Sequence, residues 1–519
     1  MQWKQQGRLI DAVSGQSERQ LGVRQVHGAA WVAVSPTPVP AARVIAHDPG
    51  MAQRLGLSDA LFQDPGFVSV MGGSALYAGM TPWAANYGGH QFGHWAGQLG
   101  DGRALSLGAL ADAHGQGWEI QLKGAGVTPF SRTGDGRAVL RSSLREYLCS
   151  RAMAALGVPT TDALCLLTTG NTVVRDLLYD GNPRAEPGAI VCRVAPTFLR
   201  FGSLQLPASR GDHALLQALV DFTIARHYPH LAGVTDPAAA LLGEVAVASA
   251  ELVAHWQRVG FVHGVLNTDN MHMAGLTIDY GPFGWMEAYD PDYTPNTSDA
   301  GSRYCFAAQP AMVRWNLAAL AQALSLLSED AQALAEGLQA YDRHLALCRL
   351  RDAGAKLGLA ADAAALDLQR RWQGLMAQGQ LDMSMAYRAL ARVRSDNALA
   401  SAPSLLLASA SASPAALAQA QPGLVAWMSD YRDAIASHGA EPAARAAGMN
   451  AVNPWLLPRN WLLHRAAQAA ARGDIAPLQR LDTALQAPYR ENPEVADLVA
   501  VCPPSLRQQP GCSQLSCSS

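Results

Sequence analysis

Two short acidic motifs lie close together near the middle of the chain, within the stretch Phe261–Gly284. The motif T-D-N occupies residues 268–270, and D-Y-G follows at residues 279–281 after one apolar segment. A base, a metal-binding amide and a metal-binding carboxylate on neighbouring turns are the groups that kinase-type phosphate chemistry requires. The order and spacing of the two motifs therefore indicate a metal-dependent site for a phosphate-bearing substrate.

The match to a protein-kinase catalytic loop is incomplete. That loop places an Asp two residues and an Asn seven residues after its His. Counted from His263, the Asn position is filled by Asn270, but the Asp position holds Val265. Asp269 stands instead beside the Asn, and Asp279 occupies the position of the D-F-G metal ligand. The chain thus keeps the metal-binding half of a kinase site and has moved or lost the base. Each motif alone is also compatible with ordinary turn formers.

A glycine-rich segment precedes these motifs at residues 86–103, N-Y-G-G-H-Q-F-G-H-W-A-G-Q-L-G-D-G-R. Its glycines permit close approach of the backbone to phosphate, and Arg103 supplies a fixed positive charge. His90 and His94 are four residues apart, as zinc ligands on a helix are. The surrounding glycines disfavour a regular helix, so zinc is the weaker interpretation. Packed imidazoles among structural turn glycines are a second alternative.

A strand lysine and a helix glutamate follow. The stretch W-E-I-Q-L-K alternates as a strand does and ends on Lys123. The segment Ala138–Gly157 is typical of an amphipathic helix and carries Glu146 among apolar neighbours. Such a lysine and glutamate would form the ion pair that positions nucleotide phosphates. Pairing of Glu146 with an arginine of its own helix is equally compatible with the periodicity.

Further cationic groups lie downstream. Residues 131–137, S-R-T-G-D-G-R, form a second glycine-rich loop. Arg193 lies inside the apolar run G-A-I-V-C-R-V-A, and a buried Arg needs an anionic partner. Arg193 and the nearby Arg200 are therefore candidate phosphate ligands.

The elements that must position these residues change in type along the chain. A strand-rich first part, a hinge-like stretch near residues 195–205 and a helical remainder predict an α+β, protein-kinase-like two-lobed fold. Its parts are a mixed or antiparallel β-rich N-lobe at 1–200, a helical C-lobe at 201–500 containing the stretch 261–284, and a mobile tail at 501–519. Residues 398–429 carry no charge and are interpreted as a low-complexity insertion or loop. The predicted helices are Asp212–Tyr228, Ala238–Val259, Met312–Leu327, Ala331–Leu350, Leu366–Leu375 and Trp461–Ala471.

Composition limits the function classes. With 519 residues, 49% hydrophobic and 16% charged, the chain can bury a large core. Its net charge of −3 gives no general attraction to nucleic acid or to an anionic membrane. The N-terminal residues have no apolar signal core, so we expect a cytoplasmic protein. Of eight cysteines, most lie in apolar surroundings, whereas Cys512 and Cys517 lie in a polar tail and are expected to be accessible.

The chain resembles the selenoprotein O family, the kinase-like protein adenylyltransferases. The resemblance is carried by Y-G-G-H-Q-F-G-H-W with G-D-G-R-A, by I-Q-L-K-G-A-G-V-T-P-F-S-R-T-G-D-G-R-A-V-L-R-S-S-L-R-E, and by G-V-L-N-T-D-N-M with I-D-Y-G-P-F. N-P-W-L-L-P-R-N-W near residues 453–461 and the terminal C-S-S extend it along nearly the whole chain. It implies a kinase fold that binds ATP flipped, so that AMP passes to Ser, Thr or Tyr hydroxyls of proteins.

The resemblance also implies roles for individual residues. Asp269 would be the acceptor's base, Glu146 would pair with Lys123, and Asn270 with Asp279 would hold Mg²⁺ or Mn²⁺. Protein substrates, self-modification and a monomer without nucleic acid or membrane partners are expected. The residues expected to hold the nucleotide are Gly100, Gly102, Arg103, Lys123, Asp135, Gly136, Arg193, Arg200 and Asp279.

The family commonly carries selenocysteine or cysteine near its C-terminus, and Cys517 has that position here. We hypothesise a reversible disulfide between Cys517 and Cys305, with Cys512 as a competitor. Three other functions stay open at this point: uridylyl transfer with Mn²⁺, conventional phosphate transfer, and nucleotide binding by a non-catalytic pseudokinase.

Overall fold

A computed structural model describes residues 3–4, 7–19, 22–394, 403–506, 509–512 and 514–516, without the side chains of residues 3–4 and 404–405. Cys517 lies outside these residues. In chain order the strands are β1 (Trp3–Lys4), β2 (Trp31–Ala33), β3 (Arg43–His47), β4 (Trp83–Ala85), β5 (Gly88–Gln91), β6 (His94–Gln98), β7 (Ala104–Ala111), β8 (Gly117–Lys123), β9 (Ala138–Val139), β10 (Asp162–Arg175), β11 (Arg184–Ala195), β12 (Phe261–Val262) and β13 (Gly284–Trp285).

The α-helices dominate the chain after residue 200. They are α1 (Leu9–Ala12), α2 (Pro49–Arg54), α3 (Pro65–Met71), α4 (Leu140–Ala155), α5 (Phe201–Ser209), α6 (His213–His227), α7 (Pro237–Val259), α8 (Gln309–Leu324), α9 (Ala331–Leu357), α10 (Ala363–Gln378), α11 (Met383–Leu390), α12 (Pro403–Leu407), α13 (Pro414–His438), α14 (Pro442–Val452), α15 (Asn460–Ala471) and α16 (Ala476–Leu485).

The main sheet is antiparallel and contains the strands in the order β2-β4-β7-β8-β11-β10-β3, with β1 added to β7 and β9 to β11. Its central strands are apolar on both faces because both faces are covered. On β11, Ile190 and Cys192 face a core built with α2 and α3, whereas Ala189 and Val191 face the core that contains α4. Alternation along the strand therefore places Arg193 on the α4 side of the sheet.

Helix α4 is the element that connects the sheet to the helical part of the molecule. It packs on β10 and β11 on one side and on α15 and α16 on the other. The predicted helix began two residues earlier, because residues 138–139 form the short strand β9 instead. Leu144, Tyr147 and Leu148 are fully buried. Glu146 is therefore carried on a helix held between two packed layers.

Helix α7 has 23 residues and contacts both α8 and α9. Its length and apolar composition alone would suit a membrane span, but 61% of its most apolar window is buried inside the protein. Asp236 caps its N-terminus, and Gly260, with φ of 74°, ends it. The chain then enters the stretch Phe261–Gly284. Burial among other helices accounts for the apolar composition of α7.

The helices predicted from periodicity are confirmed within three residues at each end as α6, α7, α8, α10 and α15, whereas α9 continues seven residues beyond its predicted end, to Leu357. The interpretation of residues 398–429 as a loop is wrong for its larger part, because α12 spans Pro403–Leu407 and α13 runs from Pro414 to His438. Helix α13 buries Leu417, Leu424 and Trp427. An uncharged Ala-rich segment is a good helix former once one face can pack. Residues 395–402 lie outside the described part of the chain.

The described C-terminal residues are packed against the body of the molecule. Leu515 is fully buried and pairs with Asn296, and its carbonyl accepts hydrogen bonds from Thr297 N at 2.8 Å and Thr297 Oγ1 at 2.9 Å. The expected accessibility of Cys512 is wrong, because its exposed fraction is 1%. Burial raises the pKa of that thiol to about 12.

Candidate active site

A cavity of about 790 Å³ opens where β7 and β8 face the segment of residues 265–282. That volume lies within the roughly 300–1,000 Å³ of small-molecule sites. The lining brings together most of the residues singled out in the sequence: Gly100, Gly102, Arg103, Lys123, Asp135, Gly136, Arg193, Arg200, Asp269, Asn270 and Asp279. Glu146 lies behind Lys123 and contacts it.

Lys123 ends β8 and is buried between two carboxylates. Its Nζ lies 2.7 Å from Glu146 Oε2 and 3.6 Å from Asp279 Oδ1. Burial lowers the pKa of Lys123, and the two carboxylates oppose that change. The alternative pairing of Glu146 with an arginine of its own helix is therefore wrong. Arg145 instead donates to Phe283 O at 2.8 Å.

Two buried arginines converge on Asp279. Arg193 binds Asp279 and also lies 3.2 Å from Glu146 Oε1, and Arg200 binds the second carboxylate oxygen of Asp279. Burial alone would raise the pKa of Asp279, but the charges of Arg200, Arg193 and Lys123 hold it well below its ordinary range. The carboxylate is consequently ionised, and a dense group of cations stands around it.

Asp279 has a backbone conformation that is unusual for a residue with a side chain, with φ of 56°. A non-glycine residue held at positive φ costs free energy and persists where the surrounding structure imposes it. The strands β12 and β13 pair at the two ends of the segment and close residues 263–283 into a loop. Within it, His263 Nε2 lies 2.8 Å from Ile278 O, which ties the two acidic motifs together.

Asn270 directs its side-chain nitrogen back into the loop. Its Nδ2 donates to Val265 O at 3.0 Å, so the amide oxygen is the atom that can face a cation. Val265 lines the cavity at the place where a kinase would carry its base. The oxygens of Asn270 and Asp279 are hard ligands of the type that Mg²⁺ and Mn²⁺ prefer.

Asp269 is the carboxylate with spare acceptor capacity. Its Oδ2 accepts a hydrogen bond from Gln91 Nε2 at 3.2 Å, whereas Oδ1 is buried and has no partner among the described residues. Burial raises the pKa of Asp269 to about 6, against the lowering effects of Arg200 and Gln91. An unpartnered buried carboxylate oxygen at the cavity wall suits a group that accepts a proton from a substrate.

The glycine-rich segment forms a hairpin, β5–β6, that packs on this loop. His90 N donates to Thr268 Oγ1 at 2.7 Å, and Phe92 N donates to Asn267 Oδ1 at 3.2 Å. Gly89 is required by the close approach, because a Cβ there would lie 2.8 Å from Asp269 Oδ1. The hairpin was not predicted from the sequence.

The zinc interpretation of the same segment is not supported. His90 and His94 lie on paired strands, and His90 packs against the rings of Trp95 and Trp315. Within the described ranges neither imidazole belongs to a group of three or more potential metal ligands.

Sequence reasoning missed Asp101, which pairs with Arg200 on the side away from Asp279. Asp101 is buried and lies 3.5 Å from Arg200, and it accepts from Tyr87 Oη at 3.2 Å and Gln121 Nε2 at 3.3 Å. Burial raises its pKa, while Arg200 and Arg193 oppose this change. Asp101 is the acidic residue of the motif G-D-G-R, so the sequence identified the motif but not the pairing of its Asp with Arg200.

The second glycine-rich loop contributes the outer, cationic wall. Asp135 pairs with Arg175, whose Nη2 lies 2.6 Å from Asp135 Oδ1, at half-exposed positions. Arg132, Arg137 and Arg175 line the cavity together with Arg103. Arg175 could not be assigned from the sequence, because it comes from β10, remote in the chain from this loop.

Cys305, the described partner of the hypothesised disulfide, is a buried free thiol.

Together the fold and the site define a class: a mixed α and β protein whose cation-rich cavity suits a polyphosphate. Residues 22–486 match the family described as Protein adenylyltransferase SelO, and the chain belongs to that family. It is an enzyme of the nucleotidyltransferase class.

Three relatives, each named Protein nucleotidyltransferase YdiU, illustrate the similarity. The protein of Xanthomonas campestris pv. campestris (strain B100) is 52% identical over 495 residues, covering 95% of each chain. That of Tolumonas auensis is 50% identical over 506 residues, covering 96% of this chain and 95% of its own. That of Methylobacillus flagellatus is 47% identical over 517 residues, covering 99% of both.

Proposed function

We propose that this enzyme transfers AMP from ATP to Ser, Thr or Tyr hydroxyls of proteins. The observation that carries the proposal is the place of Asp269: it lines the cavity beside Asn270 and Asp279, while Val265 occupies the usual position of a kinase base. The family description, a protein adenylyltransferase, and the names of the relatives support the same reaction.

The nucleotide would be held with its phosphates among the cations of the cavity. Lys123, positioned by Glu146, and the guanidinium groups of Arg193 and Arg200 would bind the triphosphate, and Arg103 would extend the charge outward. In the proposed kinase-like two-lobed arrangement, residues 1–200 form the nucleotide-binding lobe and the later helices form the second. The flipped orientation of ATP is part of this proposal, because it brings the α-phosphate rather than the γ-phosphate to the acceptor.

Asp269 would act as the base of the transfer. The acceptor oxygen forms its bond to the α-phosphorus as the bond from that phosphorus to the bridging oxygen of the β-phosphate breaks. Pyrophosphate leaves with the electron pair of the broken bond, and the hydroxyl proton passes to the Asp269 carboxylate. Its pKa of about 6 keeps most of this carboxyl ionised at neutral pH.

Asn270 and Asp279 would hold the divalent cation, Mg²⁺ or Mn²⁺. When bound, the ion would neutralise phosphate charge and stabilise the leaving pyrophosphate. Asp279 is bound by Arg193 and Arg200 in this structure, so these two guanidinium groups would have to exchange that carboxylate for phosphate oxygens as nucleotide and metal enter.

The test uses ATP labelled at either the α- or the γ-phosphate, followed by intact-mass measurement of the protein. Retention of the α label, with the mass of one AMP added, is expected. Retention of the γ label would replace the proposal with conventional phosphate transfer, and no label on any protein would favour a non-catalytic pseudokinase. UTP with Mn²⁺ in a parallel reaction separates AMP from UMP transfer.

We also propose the reversible disulfide between Cys305 and Cys517. Pairing of Leu515 with Asn296 supports it, because the C-terminal residues run beside the segment that leads to Cys305. Peptide mapping under non-reducing conditions is the test, and an unpaired Cys305 would remove the idea. We further propose that the enzyme works in the cytoplasm as a monomer.

A further inference from the structure

A second group of metal-binding side chains lies away from the cavity, where α7 packs against α9. Glu251 comes from α7, and His344 and Cys348 come from α9, four residues apart and so on the same face of the helix. One ligand atom from each of the three lies within 4.8 Å of the other two. The proposed transfer reaction makes no use of this cluster.

The hydrogen bonds of the cluster converge on a single oxygen. His344 Nε2 lies 3.0 Å and Cys348 Sγ 3.1 Å from Glu251 Oε2. Zinc with bonds of about 2.0–2.3 Å to such atoms in a tetrahedron requires ligand-to-ligand separations of roughly 3.3–3.8 Å. The two separations in the structure are within about 1 Å of these values, and the third is at most 4.8 Å, so the three groups already stand close to the spacing of a metal site.

His255 stands one turn along α7, beside the Glu251 oxygen that faces away from His344 and Cys348. His255 Nε2 lies 3.3 Å from Glu251 Oε1, and its Nδ1 is buried without a hydrogen-bond partner among the described residues. Arg351 binds the same Oε1 at 2.7 Å, so it leaves Oε2 to a cation and would act as the outer partner that orients a ligating carboxylate.

We propose that Glu251, His344 and Cys348 form a zinc site that joins α7 to α9, with the fourth position open to solvent. The combination of thiolate, imidazole and carboxylate favours Zn²⁺ over the Mg²⁺ or Mn²⁺ of the cavity, which has oxygen ligands. On binding, the thiol proton of Cys348 passes to solvent, and His344 coordinates through the Nε2 lone pair with its proton on Nδ1. Because α7 leads directly into Phe261–Gly284, the metal would stabilise the helix from which that segment begins.

The test is titration of the metal-free, full-length protein with Co²⁺, followed by displacement with Zn²⁺. A thiolate-to-cobalt charge-transfer band with tetrahedral ligand-field bands is expected, and it distinguishes this site from the cavity, where the proposed ligands are oxygen atoms. Failure of AMP transfer would leave this spectrum unchanged, so the two proposals are tested separately.

Two variants identify the ligands. Cys348→Ser should abolish the charge-transfer band, and His344→Gln should lower Zn²⁺ affinity by at least about 100-fold in competition with a chelator. His344 is part-exposed, so its variant remains informative if Cys348→Ser fails to fold. His230→Gln, at an exposed His–Glu pair with Glu244 on α7, is the matched control and should change neither reading. Absence of the band in the folded wild type, or unchanged affinity in His344→Gln, would overturn the proposal.

Discussion

At the scale of single residues, the two aspartates of the site differ in pKa because their surroundings differ. Asp279 stands among three cations that hold its pKa well below the ordinary range, whereas burial raises the pKa of Asp269 to about 6. One carboxylate is therefore suited to binding cations and the other to accepting a proton. Their roles follow from position, since both are aspartates in one short loop.

Asp269→Asn should lower the rate of AMP transfer by about 10²–10⁴-fold, because the amide cannot accept the hydroxyl proton. Nucleotide binding, measured by calorimetry, should persist, since the cations of the cavity are untouched. Asp221→Asn, on the exposed face of α6, is the control and should leave the rate unchanged. Full transfer activity in Asp269→Asn would exclude this residue as the base.

The rate should also depend on pH through Asp269. With a pKa of about 6, the carboxylate that accepts the proton predominates above that pH and is lost below it. We expect kcat/KM to rise as pH increases through about 6, falling roughly tenfold per pH unit on the acid side. Asp279 stays ionised over the same range, so it causes no further change in kcat/KM with pH. A level profile between about pH 5 and about pH 8 would contradict the assignment.

Glu146→Gln should destabilise the folded protein by about 3–5 kcal/mol, because Lys123 and Arg193 would remain buried with less negative charge beside them. The free energy of unfolding in urea measures this loss. Asp497→Asn is the control: Asp497 pairs with Arg480 at 2.7 Å at exposed positions, and we expect about 1 kcal/mol or less. Equal losses of unfolding free energy in the two variants would show that the buried ion pairs of Glu146 stabilise the protein no more than an exposed pair.

At the scale of elements, the hairpin β5–β6 has the least predictable role. Alternation and helical periodicity identify elements that bury one face, but this hairpin presents its backbone donors to Thr268 and Asn267 instead. Such contacts leave no hydrophobic pattern in the sequence. The glycines indicated a close approach of the backbone to another group, and the tertiary structure shows that the hairpin contacts residues 267–269.

Gly89→Ala should slow AMP transfer by roughly 10–100-fold while the protein still folds, because displacement of the reacting groups by a small distance is costly. The added Cβ would meet Asp269 Oδ1 at 2.8 Å and Asp269 Cβ at 3.0 Å, so the hairpin or the carboxylate must move. Steady-state kinetics with a fixed acceptor protein is the measurement.

Gly448→Ala on α14 is the control for that change, because its added Cβ meets no atom within 4 Å. It should leave the rate unchanged and stabilise the helix by up to about 1 kcal/mol. Wild-type kinetics in Gly89→Ala would mean that the hairpin does not position Asp269.

At the scale of the whole molecule, distant parts of the chain contact residues 261–296. The sheet of the first 195 residues supplies Lys123 and Arg193, and Leu515, near the C-terminus, pairs with Asn296 beyond the acidic motifs. Residues more than 200 positions apart thus meet around one loop. We expect the stability of the molecule to depend on this C-terminal packing.

Leu515→Ala should reduce the free energy of unfolding by about 2–5 kcal/mol, since the side chain is fully buried and its loss leaves a cavity. Urea denaturation with a fluorescence reading is the measurement. Leu347→Ala on α9, at a leucine with 63% exposure, should change stability by less than about 0.5 kcal/mol. A Leu515→Ala protein as stable as the wild type would show that the C-terminal residues contribute little to the fold.

The sequence alone determined the chemistry available to this protein: the acidic motifs, the strand lysine, the helix glutamate and the order of strands before helices. These features are local, because each depends on residue type and on a spacing within one element. The pairing of Lys123 with Glu146 was expected from the sequence, but only the tertiary structure decided which other groups meet. The capture of Asp279 by Arg193 and Arg200, the anchoring of Arg200 by Asp101 and the burial of Cys512 join residues far apart in the chain, and no local pattern records such contacts.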